Sequence, residues 1–262
     1  MQLKSLKKLS NHLEKILFNN LIPIITDFDN YYFGIFKALL ISENKDITII
    51  KIGEIKDYNI LTSIFFLITS IKYFSPGTLF VVLFDPCPFS NDYILCHYKG
   101  FYILSSNNGS FSPFIKDGDF YLINKKGNNN NNDNIRLWSF MVKNILSSNI
   151  ENFDIYPKEY VNFIYYQPVI KDNIIEASIF YIDGFGNIIT NIPNTYFDKL
   201  KTLEIKSKII EKSDNFKDVK ETAFIRGSQG FIEIVANKKS AKKILNVNEK
   251  INILGRIQDG RN

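Results

Sequence analysis

Between Ile22 and Phe84 short apolar runs alternate with helix-length segments, and that alternation restricts the fold more than any other feature of the chain. Ile22 to Asp27 reads as a strand, Gly34 to Ile41 as a helix and Ile47 to Ile52 as a second strand. Asn59 is placed to cap a helix running to about Phe74, and Thr78 to Phe84 is an uninterrupted apolar strand ending at Asp85-Pro86. This order predicts a parallel sheet covered on both faces. Tyr93–Tyr98 and Phe101–Leu104 then flank Lys99-Gly100 as a hairpin, followed by a polar loop from Ser105 to Ser110 and a strand from Asp119 to Asn124. The asparagine-rich stretch 127–134 reads as a low-complexity loop. Ile135–Leu146 reads as a helix with Leu137, Phe140, Met141 and Ile145 on one face.

After Tyr166-Gln167-Pro168 the helical periodicity mostly stops. Ile174–Asp183, Asn187–Ile192, Leu203–Ile210, Thr222–Ile225, Phe231–Val235 and Ile251–Leu254 read as strands, with brief helices near Thr195–Leu200 and Ser240–Leu245. The fold class is therefore α/β: an N-terminal parallel-sheet α/β domain over 21–168, then a smaller, β-rich, barrel-like C-terminal domain over 169–262. Residues 1–20 form an amphipathic extension, with Leu3, Leu6, Leu9, Leu13, Ile16 and Leu17 at helical spacing. It reads as an extra helix lying on the domain, the alternative being a membrane-surface or partner helix.

Composition removes several function classes. The longest apolar run, Ile60 to Ile71, falls short of the roughly twenty residues that span a bilayer, so no membrane partner is expected. Cys87 and Cys96 make no disulfide framework and no signal-peptide pattern precedes them, so the expected compartment is the cytoplasm. The net charge of +5 is spread along the chain, which argues against nucleic acid. With His12 and His97 the only histidines, no metal site is expected. Neither a glycine-rich phosphate loop nor a Gly-x-Ser-x-Gly elbow is present.

Open parallel sheets place ligands beyond the carboxyl ends of their strands. Asp27 and Asp85 stand at two such ends, where a carboxylate can accept hydrogen bonds from a ribose diol, polarise a water, or simply cap a loop. Asp183-Gly184-Phe185-Gly186-Asn187 sets an acid and an amide on a tight turn between apolar strands. That pattern fits a plain hairpin. It equally fits a site in which Asp183 and Asn187 bind a polar group while Phe185 stacks on a flat ring.

Taken in order, the motifs resemble the S-adenosylmethionine hydroxide adenosyltransferases. Thr26-Asp27-Phe28, followed by Tyr32-Phe33-Gly34-Ile35-Phe36-Lys37, is similar to that family's Thr-Asp-Phe-Gly box and its continuation. Phe74-Ser75-Pro76-Gly77-Thr78 leads to Asp85-Pro86, Ser106-Asn107-Asn108-Gly109 resembles its Pro-Asn-Asn-Gly loop, and Asp183 to Asn191 its Asp-x-Phe-Gly-Asn-x-x-Thr-Asn box. Gly227 to Ile234 is similar to its final Asn-Ser-x-Gly-x-Leu-Glu-Ile. The resemblance implies an enzyme that converts S-adenosyl-L-methionine and water to adenosine and methionine, with chlorinase and fluorinase relatives. It also implies a homotrimer with the site at the subunit interface, and no cofactor beyond S-adenosyl-L-methionine itself as substrate. It assigns Asp85 to catalysis, Asp27 to the ribose, Asp183 and Asn187 to the methionine end, and Ser228 to the adenine. Phe28, Asn107, Asn108, Phe185 and Glu233 are further substrate-binding positions by the same match.

The chain departs from that pattern in three places. The loop Asp29-Asn30-Tyr31 is about two residues shorter than the family's, and Cys87-Pro88-Phe89 replaces a Gly-Val-Gly turn. Of the family's Asp, Arg and His that activate water, Asp85 matches the first, Asp92 falls near the second with reversed charge, and nothing before Phe140 supplies the third. A carboxylate at that position beside Asp85 is expected to raise one acid's pKa by like-charge repulsion. Two alternatives to hydrolysis thus stay open: a catalytically degenerate protein that binds S-adenosylmethionine or adenosine, and a trimeric structural or interaction protein.

Overall fold

The computed structural model describes residues 18–42, 46–84, 92–126, 134–159, 161–248 and 251–257. The chain divides into two compact units at Ile164/Tyr165. In the first, β1 (Leu21–Thr26), β2 (Thr48–Glu54), β3 (Leu79–Leu83), β4 (Tyr93–Tyr98), β5 (Phe101–Ser106), β6 (Asp119–Lys125) and β7 (Phe153–Pro157) form one sheet in the order β2-β1-β3-β5-β4-β6-β7. The first four in that order are parallel; β4, β6 and β7 extend the sheet antiparallel. Helix α1 (Asn30–Ile41) begins one turn before the glycine at which the sequence suggested it, because the Asp29 carboxylate caps it by accepting from the Tyr32 N–H at 2.9 Å. Asn59 caps α2 (Ile60–Ser70) as expected, and α3 (Asn134–Leu146) follows β6. Among the described residues, no helix is long and apolar enough to cross a membrane.

Alternation along β3 shows how the core is built. Leu79, Val81 and Leu83 pack with Phe36 and Leu40 of α1 and with Trp138, Met141, Val142 and Ile145 of α3. Phe80, Val82 and Phe84 pack on the other face with Leu67 of α2, Ile94, Cys96, Ile103 and Phe111. A strand apolar at every position is what two covered faces require. The Lys99-Gly100 hairpin joins β4 to β5, with both residues at positive φ.

The second unit holds β8 (Val169–Lys171), β9 (Ile174–Ile182), β10 (Ile188–Pro193), β11 (Leu200–Ile205), β12 (Lys208–Lys212), β13 (Thr222–Arg226), β14 (Phe231–Ala236) and β15 (Asn252–Ile257). The order β10-β14-β13-β12-β11-β15-β9 closes on itself where β9 pairs back with β10, giving a closed seven-stranded barrel to which β8 adds at β9. The run Leu203–Ile210, read as one strand, is two: Lys206 and Ser207 take φ values of 47° and 61° and turn the chain. The helix suggested near Thr195 is a 3-10 stretch over Asn194–Lys199, whereas α4 (Ala241–Leu245) starts where Ser240 caps it.

Candidate functional site

The turn between β9 and β10 is held by its own acid. Asp183 Oδ1 accepts from the backbone N–H groups of Phe185 (2.9 Å) and Asn187 (2.8 Å), and its Oδ2 accepts from the Asn187 side-chain amide at 3.0 Å. Asp183 and Asn187 therefore face each other across the turn, both half-buried, with Phe185 84% exposed at the tip. Gly186 has φ +85°, and a Cβ there would stand 2.0 Å from Ser240 Oγ, so only glycine lets the turn seat against the start of α4. The Lys242 N–H donates to the Gly186 carbonyl and completes that contact. Thr190 and Asn191, the last residues of the same box, are buried and serve the barrel. Thr190 Oγ1 donates to the Ile232 carbonyl, and Asn191 Oδ1 accepts from the Ser178 N–H, where both ladders shift register.

Across the barrel wall the β13–β14 turn, residues 227–230, exposes Ser228. Asn194 fastens the turn: its backbone N–H donates to the Gly230 carbonyl and its side-chain amide to the Gly227 carbonyl. Glu233 follows in β14, opposite Ile189 of β10 and Ile225 of β13. Burial, and then the charge of Asp183, hold its carboxyl above the usual glutamate range.

In the α/β unit the carboxyl ends of β1 and β3 form the corresponding edge. Thr26 is fully buried; its Oγ1 accepts from the Phe28 N–H at 3.0 Å and its carbonyl from the Ile55 N–H. That turn leaves Asp27 half-buried at the end of β1. The Phe28 ring packs against the core and lies 6.2 Å from the ring of Tyr32. The stretch Ser105–Ser110, read as a polar loop, is buried, and its first two residues end β5. Asn108 Nδ2 donates to the Phe84 carbonyl at 2.6 Å and Ser106 Oγ to the same carbonyl at 2.9 Å, while Asn108 Oδ1 accepts from the Ser110 N–H. The Ser63 and Ser110 hydroxyls pair at 2.7 Å beneath it. Asn107 Oδ1 accepts from the Asn162 N–H at 2.7 Å. Both asparagine side chains are thus engaged in holding backbone at this edge.

Residues 22–153 match the SAM hydroxide adenosyltransferase N-terminal domain, and residues 177–253 match the SAM hydroxide adenosyltransferase C-terminal domain. The chain belongs to the SAM hydroxide adenosyltransferase family. An (R)-S-adenosyl-L-methionine hydrolase of Methanocaldococcus jannaschii is 29% identical to it over 250 residues, 87% of this chain and 92% of that protein. Two solved structures share the fold. An uncharacterized conserved protein from Thermotoga maritima superposes with a TM-score of 0.74 at 22% identity, over 90% of this chain and 99% of that one. A conserved hypothetical protein from Thermus thermophilus gives 0.69 at 17% identity, with the same coverage.

Set against the family's boxes, the structure brings Asp183, Phe185, Asn187 and Glu233 to one end of the barrel and Asp27 and Phe28 to the carboxyl edge of the sheet. It places Asn107 and Asn108 beneath that edge. Asp85 and Cys87 lie outside the described residues, as do residues 1–17. Two side chains passed over in the sequence also stand at the sheet edge. Tyr58, at φ 54° and 69% exposed, stacks on Phe84 with ring centroids 6.4 Å apart; an aromatic directly before the capping Asn59 was the available signal. Lys158 Nζ pairs with Asp92 Oδ2 at 2.8 Å, so the reversed charge at Asp92 meets a cation that no spacing in the sequence announced. Among the described residues, no group of three or more His, Cys, Asp or Glu side chains is arranged to hold a metal ion.

Proposed function

We propose that this chain hydrolyses S-adenosyl-L-methionine to adenosine and L-methionine. The observation that carries the reading is the Asp183–Asn187 turn, kept with its glycine seat and its neighbour Glu233 in a chain matched by both family domains. The name of the archaeal relative supports the same reaction. In this reading water attacks C5′, the C5′–S bond breaks as the C5′–O bond forms, methionine leaves as a neutral thioether, and one proton goes to solvent. The sulfonium already supplies a good leaving group, so the protein's work is to place water in line and shed its hydration. Asp85 orients that water, Asp27 holds the ribose, and Phe28 and Phe185 border the nucleoside. Asp183, Asn187 and Glu233 take the methionine end, and Ser228 with its turn contacts the adenine. Asn108 acts from below by fixing the carbonyl that precedes Asp85, and Asn107 by holding the backbone at Asn162. The active form is a homotrimer with the site completed at the subunit interface; the exposed Tyr31, Tyr32 and Ile35 of α1 offer apolar surface for such an assembly.

Incubation of the purified protein with S-adenosylmethionine, separating adenosine from 5′-halogenated nucleosides, tests the reading. Adenosine should form with wild type and fall by at least about a hundredfold with Asp27→Ala. Release no faster than in the protein-free control would overturn hydrolysis. Binding without release would instead mark a catalytically silent member of the family.

A further inference from the structure

Beyond β7 the described residues 158–159 and 161–164 run to the carboxyl edge of the sheet and are tied there. Lys158 Nζ pairs with Asp92 Oδ2 at 2.8 Å, and the Asp92 carbonyl accepts from the Asn107 N–H at 2.9 Å. The Asn162 N–H donates to Asn107 Oδ1 at 2.7 Å, and the Asn162 side-chain amide donates to the Asn107 carbonyl. The Ile164 N–H donates to Ser112 Oγ at 2.8 Å, and that hydroxyl donates on to the Gly109 carbonyl at 2.6 Å. Gly109, at φ +98°, has no room for a side chain: a Cβ would stand 2.4 Å from Ile164 Cγ1. Asn162 is exposed, whereas Asn107 and Asn108 are buried. An exposed side chain thus reaches in to hold the loop whose next residue, Asn108, donates to the Phe84 carbonyl at 2.6 Å.

We infer that Asn162 is a positioning residue for the reaction: through Asn107 and Asn108 it fixes the Phe84 carbonyl, and with it the start of the segment that bears Asp85. The inference rests on the hydrolysis reading given above. Asn162 lies between the two segments that match the family, 22–153 and 177–253, so no family match assigns it a role. Magnitudes separate positioning from mere support. The core beneath, with Phe80, Phe84, Phe111 and Phe120, does not include Asn162. At an exposed position water replaces a lost donor, so the fold loses little with that side chain. Placement of the attacking water is far less forgiving, since an error of about 1 Å costs on the order of a hundredfold in rate. A variant that lets Asn107 shift by a fraction of that distance should therefore fold nearly as wild type does and react slowly. Asn162 itself touches no group that takes the ligand in this reading, so affinity should hold.

Single-turnover adenosine formation by the full chain at saturating S-adenosylmethionine, measured with KM and melting temperature, tests this. Asn162→Ala should slow the chemical step about tenfold. KM should change by less than about twofold, and the melting temperature should stay within about 2 °C of wild type. Asn162→Ser keeps a donor and should recover part of the rate. Asn162→Asp sets an acceptor against the Asn107 carbonyl and should recover none. Added to Asn108→Ala, Asn162→Ala should slow the reaction no further than Asn108→Ala alone, because both act on one carbonyl. An unchanged rate in Asn162→Ala, or a loss that adds in full to that of Asn108→Ala, overturns the inference while leaving hydrolysis standing. No adenosine from wild type overturns hydrolysis and the inference with it.

Discussion

Asn108 belongs to a stretch, Ser-Ser-Asn-Asn-Gly-Ser, whose letters are those of an exposed loop, yet it is 4% exposed. The polar groups there are stable inside because they satisfy one another and the Phe84 carbonyl. Asn108→Ala removes one of two donors to that carbonyl and the acceptor of the Ser110 N–H, leaving that buried N–H unpaired. A loss of about 3 kcal/mol in urea-denaturation stability is expected, with Asn108→Asp between it and wild type. Turnover should fall more than KM rises. Residue type and spacing were thus enough to pick out this box, but burial depends on long-range packing and was not readable there. The same holds for Thr190 and Asn191, which read as part of a binding motif and turn out to mend the barrel's register shifts. At Tyr102 the environment makes a different prediction. Burial, and then the neighbouring Tyr121, push its hydroxyl up to about 12. The unfolded side chain ionises near pH 10 and the folded one resists, so stability should decline between about pH 10 and about 12. Melting temperature against pH should show that decline in wild type, and a shallower one in Tyr102→Phe.

Elements were more legible than residues, with errors of a specific kind. Capping and periodicity located α2 and most strands, because those signals are local. Helix α1 was read a turn too short since Gly34 looked like a boundary and the Asp29 cap was assigned to a loop. The β11–β12 hairpin was missed because Lys206-Ser207 adopts the left-handed geometry without the usual Asn-Gly signature. Strand β8, with three residues, is too short to show a period. The Asp183–Asn187 turn is an element-scale device, since its seat is another element, α4. Gly186→Ala adds both a strained φ and a clash with Ser240, so about 3 kcal/mol should be lost in chemical denaturation. Ser240→Ala removes the closest clashing atom but also the helix cap at the Lys243 N–H. The double variant should consequently recover only part of the loss, giving a cost below the sum of the two singles.

For the whole molecule, the order of element types was enough to foresee an α/β part followed by a β-rich part. The barrel-like outline was also expected, whereas the strand order that closes it depends on the distant pairings β11–β15 and β9–β15 and on the parallel β12–β13 contact, which no local signal specifies. The buried core of the barrel, from Ile175 to Ile253, is drawn entirely from its own unit. Residues 165–262 expressed alone should accordingly unfold cooperatively with heat, and a broad, non-cooperative melt would contradict that independence. Trp138, the chain's one tryptophan, is 4% exposed in α3 and packs edge-on against Tyr93, with ring centroids 5.0 Å apart. Intrinsic indole fluorescence is therefore an optical label for the α/β unit alone, while far-ultraviolet dichroism sums both. Recorded on one sample, the two signals would show which half lets go first, with no dye or engineered label.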